Sequence, residues 1–214
     1  MNKKMIATLL LFTLLIVSLF VGYYVLTYYR TTKEFTVTYE NITSLTIYER
    51  GENGPEKTTN SIASGSTLRV SQLSGDYYIE YKADDGYADD TVTIGDYDNS
   101  IDIKPVFSTE KLASLYRDEK AAAIQAIKTK YPDLDELYEI KDDQLYRYGD
   151  WFGASLIYKG DSLFNKDNVG LVMQKKSGSW SVVTDPPMPT VNTYTHEDVP
   201  ADVAAAVNKQ LNAQ

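Results

Sequence analysis

Aspartates form the grouping in this chain whose spacing comes closest to a metal site. Asp96, Asp98, Ser100 and Asp102 alternate along one segment, and four more aspartates precede them: Asp84, Asp85, Asp89 and Asp90. Calcium takes about six to eight oxygen ligands, so the number of donors would suffice. The segment lacks the central glycine and the distal glutamate of a helix–loop–helix calcium loop. We therefore expect solvated turn and strand-edge charges, and we predict no metal site.

Residues for nucleophilic catalysis are scarce. The chain has no cysteine, and its single histidine, His196, lies in a polar segment before a predicted helix. A serine–histidine–aspartate relay needs a histidine that the surrounding structure holds in place. Ser155 lacks the glycine two positions later that a nucleophile elbow requires, and no glycine-rich phosphate cradle is present. We predict no catalytic and no cofactor-binding residues, and we expect a protein that is not an enzyme.

Aromatic residues offer a different chemistry, the recognition of a sugar or of a partner protein. Tyr77 and Tyr78 lie in a predicted strand, Tyr87 in the turn that follows it, and Trp151 at the start of a later strand. Such rings often form core instead, because each buries about 150–250 Å² and this chain has no disulfide to stabilise it. The four residues are candidates for a ligand or partner surface, and the core alternative stays open.

Strand patterns dominate the segment that would carry the tyrosines. Six short stretches alternate between apolar and polar residues, as strands do when they bury one face. Turn-forming glycines, aspartates and asparagines separate them. This pattern predicts a small antiparallel β-sandwich over residues 34–107. The six stretches are 35–39, 45–48, 68–70, 77–81, 91–94 and 101–103.

A helix and a second set of strands follow. Apolar residues at helical spacing predict a helix over Thr109–Lys130, which Pro132 ends. Strands are predicted at 145–148, 152–158, 169–175 and 180–184, and Asp198 and Pro200 open a final helix. The whole chain is therefore predicted to be α+β, with an α+β domain over residues 108–214 that ends in a helix.

Two stretches resemble known families. Leu73-Ser74-Gly75-Asp76-Tyr77-Tyr78-Ile79-Glu80-Tyr81, followed by Asp85-Gly86-Tyr87, resembles the PEGA family of surface β-sandwich modules over about residues 68–104. This resemblance implies a spacer or envelope-binding role. The later helix, with the strands from Asp150 to Tyr158 and from Val169 to Val183, looks like the cystatin-like superfold shared with nuclear-transport-factor-like domains. That resemblance implies a helix lying in the concave face of a curved sheet, and it supports a fold better than a function.

The segment Met5–Tyr29, with Leu15 near its middle, is an almost unbroken apolar run. At about 1.5 Å per helical residue it is long enough for the roughly 30 Å hydrocarbon layer of a bilayer. A cleaved signal peptide has an apolar core of about 7–15 residues and then small residues, whereas this run ends in tyrosines. The sequence thus predicts a stub and single-pass transmembrane signal-anchor over residues 1–33, with residues 34–214 outside the cytoplasm.

Charge narrows the range of functions. The net charge is −9, and every acidic residue lies at or after Glu34. Such an acidic region repels nucleic acid, which is therefore not an expected partner. We expect a membrane-anchored extracytoplasmic scaffold or protein-interaction protein of the cell envelope, which binds an envelope protein or itself. The alternative is a module that binds surface glycan or peptidoglycan.

Overall fold

The computed structural model describes residues 3–51, 54–60, 62–71, 76–95, 98–160 and 167–213. The chain divides into two compact units, one formed by Met1–Asp84 and Asp89–Pro105, the other by Asp85–Ala88 and Val106–Gln214. Both sheets and helices are present, so the α+β class predicted from the sequence is confirmed.

Helix α1 runs from Lys3 to Thr31 in the first unit, and its side chains are described from Phe12 to Tyr28. Most of these described side chains are apolar and exposed. The hydroxyl of Thr27 donates to the carbonyl of Tyr23 at 2.8 Å, so the helix itself satisfies this polar group.

Among the residues that the structure describes, no helix combines the length and the hydropathy that a membrane span requires. The predicted transmembrane anchor at Met5–Tyr29, centred near Leu15, therefore finds no support in the described part of the chain.

Seven described strands build the remainder of the first unit. They form a three-stranded sheet in the order β4-β1-β7 and a four-stranded sheet in the order β3-β2-β5-β6. Their bounds are β1 Thr32–Tyr39, β2 Ile42–Gly51, β3 Gly54–Asn60, β4 Ser66–Ser71, β5 Asp76–Ala83, β6 Asp90–Ile94 and β7 Ser100–Ile103.

The inward faces of the two sheets share one apolar core, as expected for a sandwich. Phe35 and Val37 of β1 are buried with Leu45 of β2 and Ile79 of β5, and Ile101 of β7 closes the same cluster. The predicted purely antiparallel arrangement is wrong at one pair, because β1 and β7 are parallel. Strand β7 joins the sheet opposite to β6, so it does not form a hairpin with the strand before it.

Strand β3 was not predicted. Its sequence, Gly54-Pro55-Glu56-Lys57-Thr58-Thr59-Asn60, has no apolar alternation that could mark a buried face. Among the described strands it pairs only with β2, at the edge of its sheet, where proline and charged residues are tolerated. Backbone pairing rather than side-chain burial therefore defines this strand.

The second unit has three layers. Helix α2 lies on one face of a four-stranded antiparallel sheet, ordered β11-β10-β9-β8, and helix α4 lies on the other. The element bounds are α2 Thr109–Lys130, α3 Leu134–Leu137, β8 Tyr138–Tyr146, β9 Trp151–Tyr158, β10 Val169–Lys176, β11 Ser179–Val182 and α4 Ala201–Leu211.

Strand β9 is buried on both faces because a helix covers each side of it. Phe152 and Leu156 pack under α2, whereas Trp151 packs under α4 with Val207. Gly153 allows the close approach of α4, since a Cβ there would lie 2.5 Å from a methyl of Val207. The aromatic residues of this strand, Trp151 and Phe152, therefore lie in the core, which was the alternative left open for Trp151.

Both boundaries of strand β8 differ from the prediction. Strand β8 begins at Tyr138, ahead of the predicted 145–148, and ends at Tyr146 because Arg147 and Gly149 adopt positive φ. An irregularity between Lys141 and Gln144 interrupts its alternation, so its first half carries no clear period-two signal. The bounds predicted for α2 are confirmed: the Ser108 hydroxyl accepts a hydrogen bond from the Lys111 amide at its start.

Candidate functional site

The candidate surface aromatics do not form one platform. The side chain of Tyr77 points into the sandwich core and is 6% exposed, and Trp151 is 4% exposed beneath α4. Tyr78 faces outward on β5, where its ring stacks on Tyr48 with centroids 5.2 Å apart. Tyr87 packs against Phe107 in the second unit, with ring centroids 5.4 Å apart. Of the four, Tyr78 is the one that lies on an open sheet face.

Ser155 and His196, the residues that could support nucleophilic catalysis, lie in different surroundings. Ser155 is fully buried within β9, and its hydroxyl has no hydrogen-bond partner among the residues that the structure describes. The Nε2 atom of His196 contacts the sulfur of Met188 at 3.4 Å. No described contact joins His196 to Ser155 or to a carboxylate, so no relay is assembled from these residues.

Most of the clustered aspartates that are described have protein partners. Asp89 accepts a hydrogen bond from the Ala83 amide at 2.8 Å and pairs with Lys82. Asp102 pairs with Lys104 and accepts from the Thr38 hydroxyl at 2.8 Å. The lysine partners hold the pKa of each of these two carboxyls below its usual range. Asp96 lies outside the described residues, and within the described ranges no three acidic or histidine side chains are grouped to hold a metal ion.

An apolar cavity of about 400 Å³ lies at one end of the second unit, where α2 ends on the sheet. We call it the α3 cavity, because the short helix α3 forms one of its walls. Its lining residues are Lys130, Tyr131, Pro132, Asp133, Leu134, Leu137, Tyr138, Leu156, Val169 and Pro187.

Local chain geometry creates the α3 cavity. Pro132 stops α2, and the Tyr131 amide closes the last turn by donating to the Ile127 carbonyl at 2.9 Å. The single turn of α3 then buries Leu134 and leaves Leu137 41% exposed. Leu134 therefore packs the turn against the core, whereas Leu137 lines the opening of the α3 cavity.

Asp185 holds the end of α2 beside this opening. It pairs with the Lys130 ammonium at 2.6 Å and accepts a hydrogen bond from the Tyr131 hydroxyl at 2.8 Å. The Lys130 contact, followed by that of Tyr131, lowers the pKa of the Asp185 carboxyl. Burial, reinforced by Asp185, raises the pKa of Tyr131, so this hydroxyl stays a neutral donor.

We call two residues the rim of the α3 cavity: Asp133, which lines it, and Glu136, which lies on α3 directly before the lining residue Leu137. Lys128 pairs with Asp135 at 2.6 Å, and the ammonium of Lys159 binds the Asp135 carbonyl at 2.6 Å. Asp133 and Glu136 are exposed and have no ion-pair partner among the described residues. The described lysines near α3 are thus engaged, whereas the carboxylate of Asp133 at the cavity and that of Glu136 on α3 are exposed to a ligand.

This arrangement suits binding better than catalysis. Its walls are mainly leucine, tyrosine, proline and valine side chains, which remove an apolar group from water without reacting with it. The sequence analysis missed the site because the one-turn helix α3 is too short for a periodic signal. The segment Pro132-Asp133-Leu134-Asp135-Glu136-Leu137 did carry one usable cue, two leucines at helical spacing after a helix stop.

Comparison of the chain with protein-family models, with curated proteins and with solved structures finds no match. The resemblance of residues 68–104 to PEGA modules and that of the second unit to the cystatin-like superfold are therefore not supported, nor is their arrangement behind a membrane anchor. Leu73, Ser74 and Gly75 of the first motif lie outside the described residues. Both resemblances rested on patterns that alternating strands with tyrosines and glycines produce in many folds.

Proposed function

We propose that this chain is a non-enzymatic scaffold or protein-interaction protein of the cell envelope, and that the α3 cavity binds a side chain of its partner. The observation that supports this proposal is an apolar cavity of about 400 Å³ beside a leucine that is 41% exposed. Partner proteins commonly place an apolar or aromatic anchor residue in such a pocket, and that residue then carries much of the binding energy.

Charge at the rim defines the partner further. Asp133, which lines the cavity, and Glu136, which lies on α3, are exposed carboxylates without an ion-pair partner among the described residues. A segment with one large apolar side chain flanked by lysine or arginine would fill the cavity and neutralise both carboxylates. A segment with acidic flanks would meet repulsion at the same two positions. The proposed partner is therefore a protein with an exposed apolar residue in a basic setting.

Location is part of the proposal. We place the protein at the cell membrane, with residues 34–214 outside the cytoplasm. The exposed apolar side chains of α1 between Phe12 and Tyr28 support this, because such a surface favours a lipid or protein environment over water. The absence of acidic residues before Glu34 is also consistent with a position near anionic lipid headgroups.

A titration with two peptides tests the proposed partner chemistry. Both contain one phenylalanine, flanked by lysines in one peptide and by glutamates in the other, and both are added to the full-length chain in detergent. We expect the lysine-flanked peptide to bind about fivefold tighter, since two exposed ion pairs supply about that much. Leu137→Asp should weaken its binding by about tenfold or more, because the introduced charge opposes burial of the ring.

Tyr194→Asp is the matched control, since Tyr194 is 90% exposed and does not line the cavity. It should bind the lysine-flanked peptide as the unmodified chain does. Equal affinity for the two peptides, or binding that Leu137→Asp leaves unchanged, would contradict the proposal.

A further inference from the structure

The outward face of the four-stranded sheet in the first unit carries a second recess, which is polar rather than apolar. It has a volume of about 470 Å³ and lies across strands β2, β5 and β6. We call it the sheet groove. Its lining residues are Ser44, Thr46, Tyr48, Glu80, Tyr81, Lys82, Asp89, Asp90 and Thr91.

Strand register explains how these side chains come together. Thr46 on β2 lies opposite Glu80 on β5, and Glu80 lies opposite Thr91 on β6. Ser44 and Lys82 form the next row of the same face. Cross-strand neighbours on one face lie about 4.5–5.5 Å apart at Cβ, so these rows set hydroxyl, carboxylate and ammonium groups side by side.

One end of the sheet groove is aromatic. Tyr48 and Tyr78 are cross-strand partners, and their rings are nearly parallel at 14°. The guanidinium carbon of Arg50 lies 5.7 Å from the centre of the Tyr78 ring. Desolvation and the neighbouring Glu80 raise the pKa of Tyr48, which keeps its hydroxyl neutral. The stack therefore presents a fixed, uncharged aromatic surface beside the polar rows.

The polar end of the groove holds both donors and acceptors. Lys82 pairs with Asp89 at 2.7 Å, which balances one charge of each sign. Glu80 and Asp90 are exposed and have no ion-pair partner among the described residues. The groove thus keeps an excess of carboxylates, which would repel a phosphate, a sulfate or a uronic acid.

We propose that the sheet groove binds a neutral oligosaccharide. A sugar ring presents an apolar face of C–H groups, which packs on a tyrosine ring, and an edge of hydroxyls, which need acceptors and donors together. Tyr48 supplies the ring, Glu80 and Asp90 the acceptors, and Thr46, Thr91 and Lys82 the donors. This site is independent of the α3 cavity, and it takes a ligand of a different class from the proposed protein partner.

A basic peptide is the competing ligand, because the same carboxylates would attract it. The geometry favours the sugar for two reasons. The groove lies on the face of the sheet rather than along the edge of β3 or β6, so a peptide could not extend the sheet through backbone hydrogen bonds. The hydroxyl groups of Ser44, Thr46 and Thr91 can form hydrogen bonds with the hydroxyls of a sugar, but they give the groove no preference for a cation.

The test uses the full-length chain in detergent and a panel of six-residue oligosaccharides: neutral ones built from glucose or N-acetylglucosamine, and an anionic one built from galacturonic acid. We expect isothermal titration to detect at least one neutral member and to find the anionic member bound at least tenfold more weakly. Tyr48→Ala should weaken binding of the neutral sugar about tenfold, and Glu80→Gln by a smaller factor.

Tyr48→Phe is the control for a folding defect, because it keeps the ring and removes only the hydroxyl. This variant should retain most of the affinity for the neutral sugar. Leu137→Asp, in the α3 cavity, should leave sugar binding unchanged, which separates this inference from the proposed function. The inference is overturned if no neutral sugar binds at millimolar concentration, or if Tyr48→Ala and Glu80→Gln both leave binding unaltered. Binding of oligolysine but of no sugar, abolished by Glu80→Gln, would assign the groove to a basic peptide instead.

Discussion

At the scale of single residues, Glu119 shows how one side chain joins parts of the chain that are distant in sequence. Its carboxylate accepts hydrogen bonds from the Lys175 ammonium at 2.5 Å and from the Trp180 indole at 3.0 Å. The two partners lie 56 and 61 residues away along the chain. Sequence periodicity could place Glu119 on α2, but it carries no information about which strands that helix faces, so this contact could not be predicted.

Glu119→Gln should reduce the free energy of unfolding of the second unit by about 1 kcal/mol at pH 7, because an amide replaces a charge-assisted acceptor. The Lys175 hydrogen bond lowers the pKa of Glu119 in the folded chain below its unfolded value. The contribution of the Glu119 carboxylate to the free energy of unfolding is therefore present above about pH 4.3 and is lost as the pH falls through the folded-state pKa. Urea unfolding of both proteins at pH 7 and in acid measures this difference.

Asp118→Asn provides the matched control, since Asp118 is an exposed neighbour on the same helix. It should change the free energy of unfolding little at either pH. A Glu119→Gln deficit that is as large in acid as at pH 7 would show that the carboxylate charge is not its cause.

At the scale of elements, the sequence predicted the helices and strands that have a strong apolar periodicity. It did not predict those that are defined by backbone hydrogen bonds alone. The bounds of α2 agree with the prediction because an apolar stripe and Pro132 mark the helix in the sequence, and the Ser108 cap fixes its start in the structure. Strand β3 and helix α3 were missed because one has no buried alternation and the other is a single turn. The six predicted strands of the sandwich are present, yet the parallel β1–β7 pair depends on strand order, which alternation does not encode.

The connection between β5 and β6 gives an element-scale prediction. Residues Asp85–Ala88 belong to the second unit although both neighbouring strands belong to the first. The Ala88 amide donates to the Val106 carbonyl at 2.8 Å, and Tyr87 packs on Phe107. Tyr87→Ala should therefore destabilise the second unit by about 1 kcal/mol, with little effect on the sandwich. Hydrogen exchange followed by mass spectrometry should show faster exchange at the start of α2.

Tyr78→Ala is the comparison for this prediction, because Tyr78 lies in the first unit and stacks on Tyr48. Its effect should appear in β2 and β5 and not in α2. If Tyr87→Ala accelerates exchange only within the sandwich, the assignment of Asp85–Ala88 to the second unit is incorrect.

At the scale of the whole molecule, the described residues form separate cores in the two units, one inside the sandwich and two on opposite faces of the α+β sheet. The predicted division into modules at residue 107 stays a prediction. Cleavage by a protease near residues 106–110 would test it, with two folded products as the expected result. The sequence indicated the class of both units, whereas the α3 cavity and the sheet groove arise from tertiary packing and strand register, which no local pattern contains.

Location belongs to this scale as well. If residues 34–214 lie outside the cytoplasm, a protease added to intact cells should digest them while a cytoplasmic control protein survives. Complete protection of the chain, under conditions that digest a known external protein, would contradict the proposed location.

The central claim, recognition of a basic apolar segment at the α3 cavity, is tested most directly by reversing the charge of the rim. In the full-length chain, Asp133→Lys combined with Glu136→Lys replaces the carboxylate at the cavity and the one on α3, and leaves the apolar walls in place. We predict that the preference between the two peptides inverts, so that the glutamate-flanked peptide binds about fivefold tighter than the lysine-flanked one. An unchanged preference for the lysine-flanked peptide would show that the rim of the α3 cavity does not select the partner, and would contradict the account.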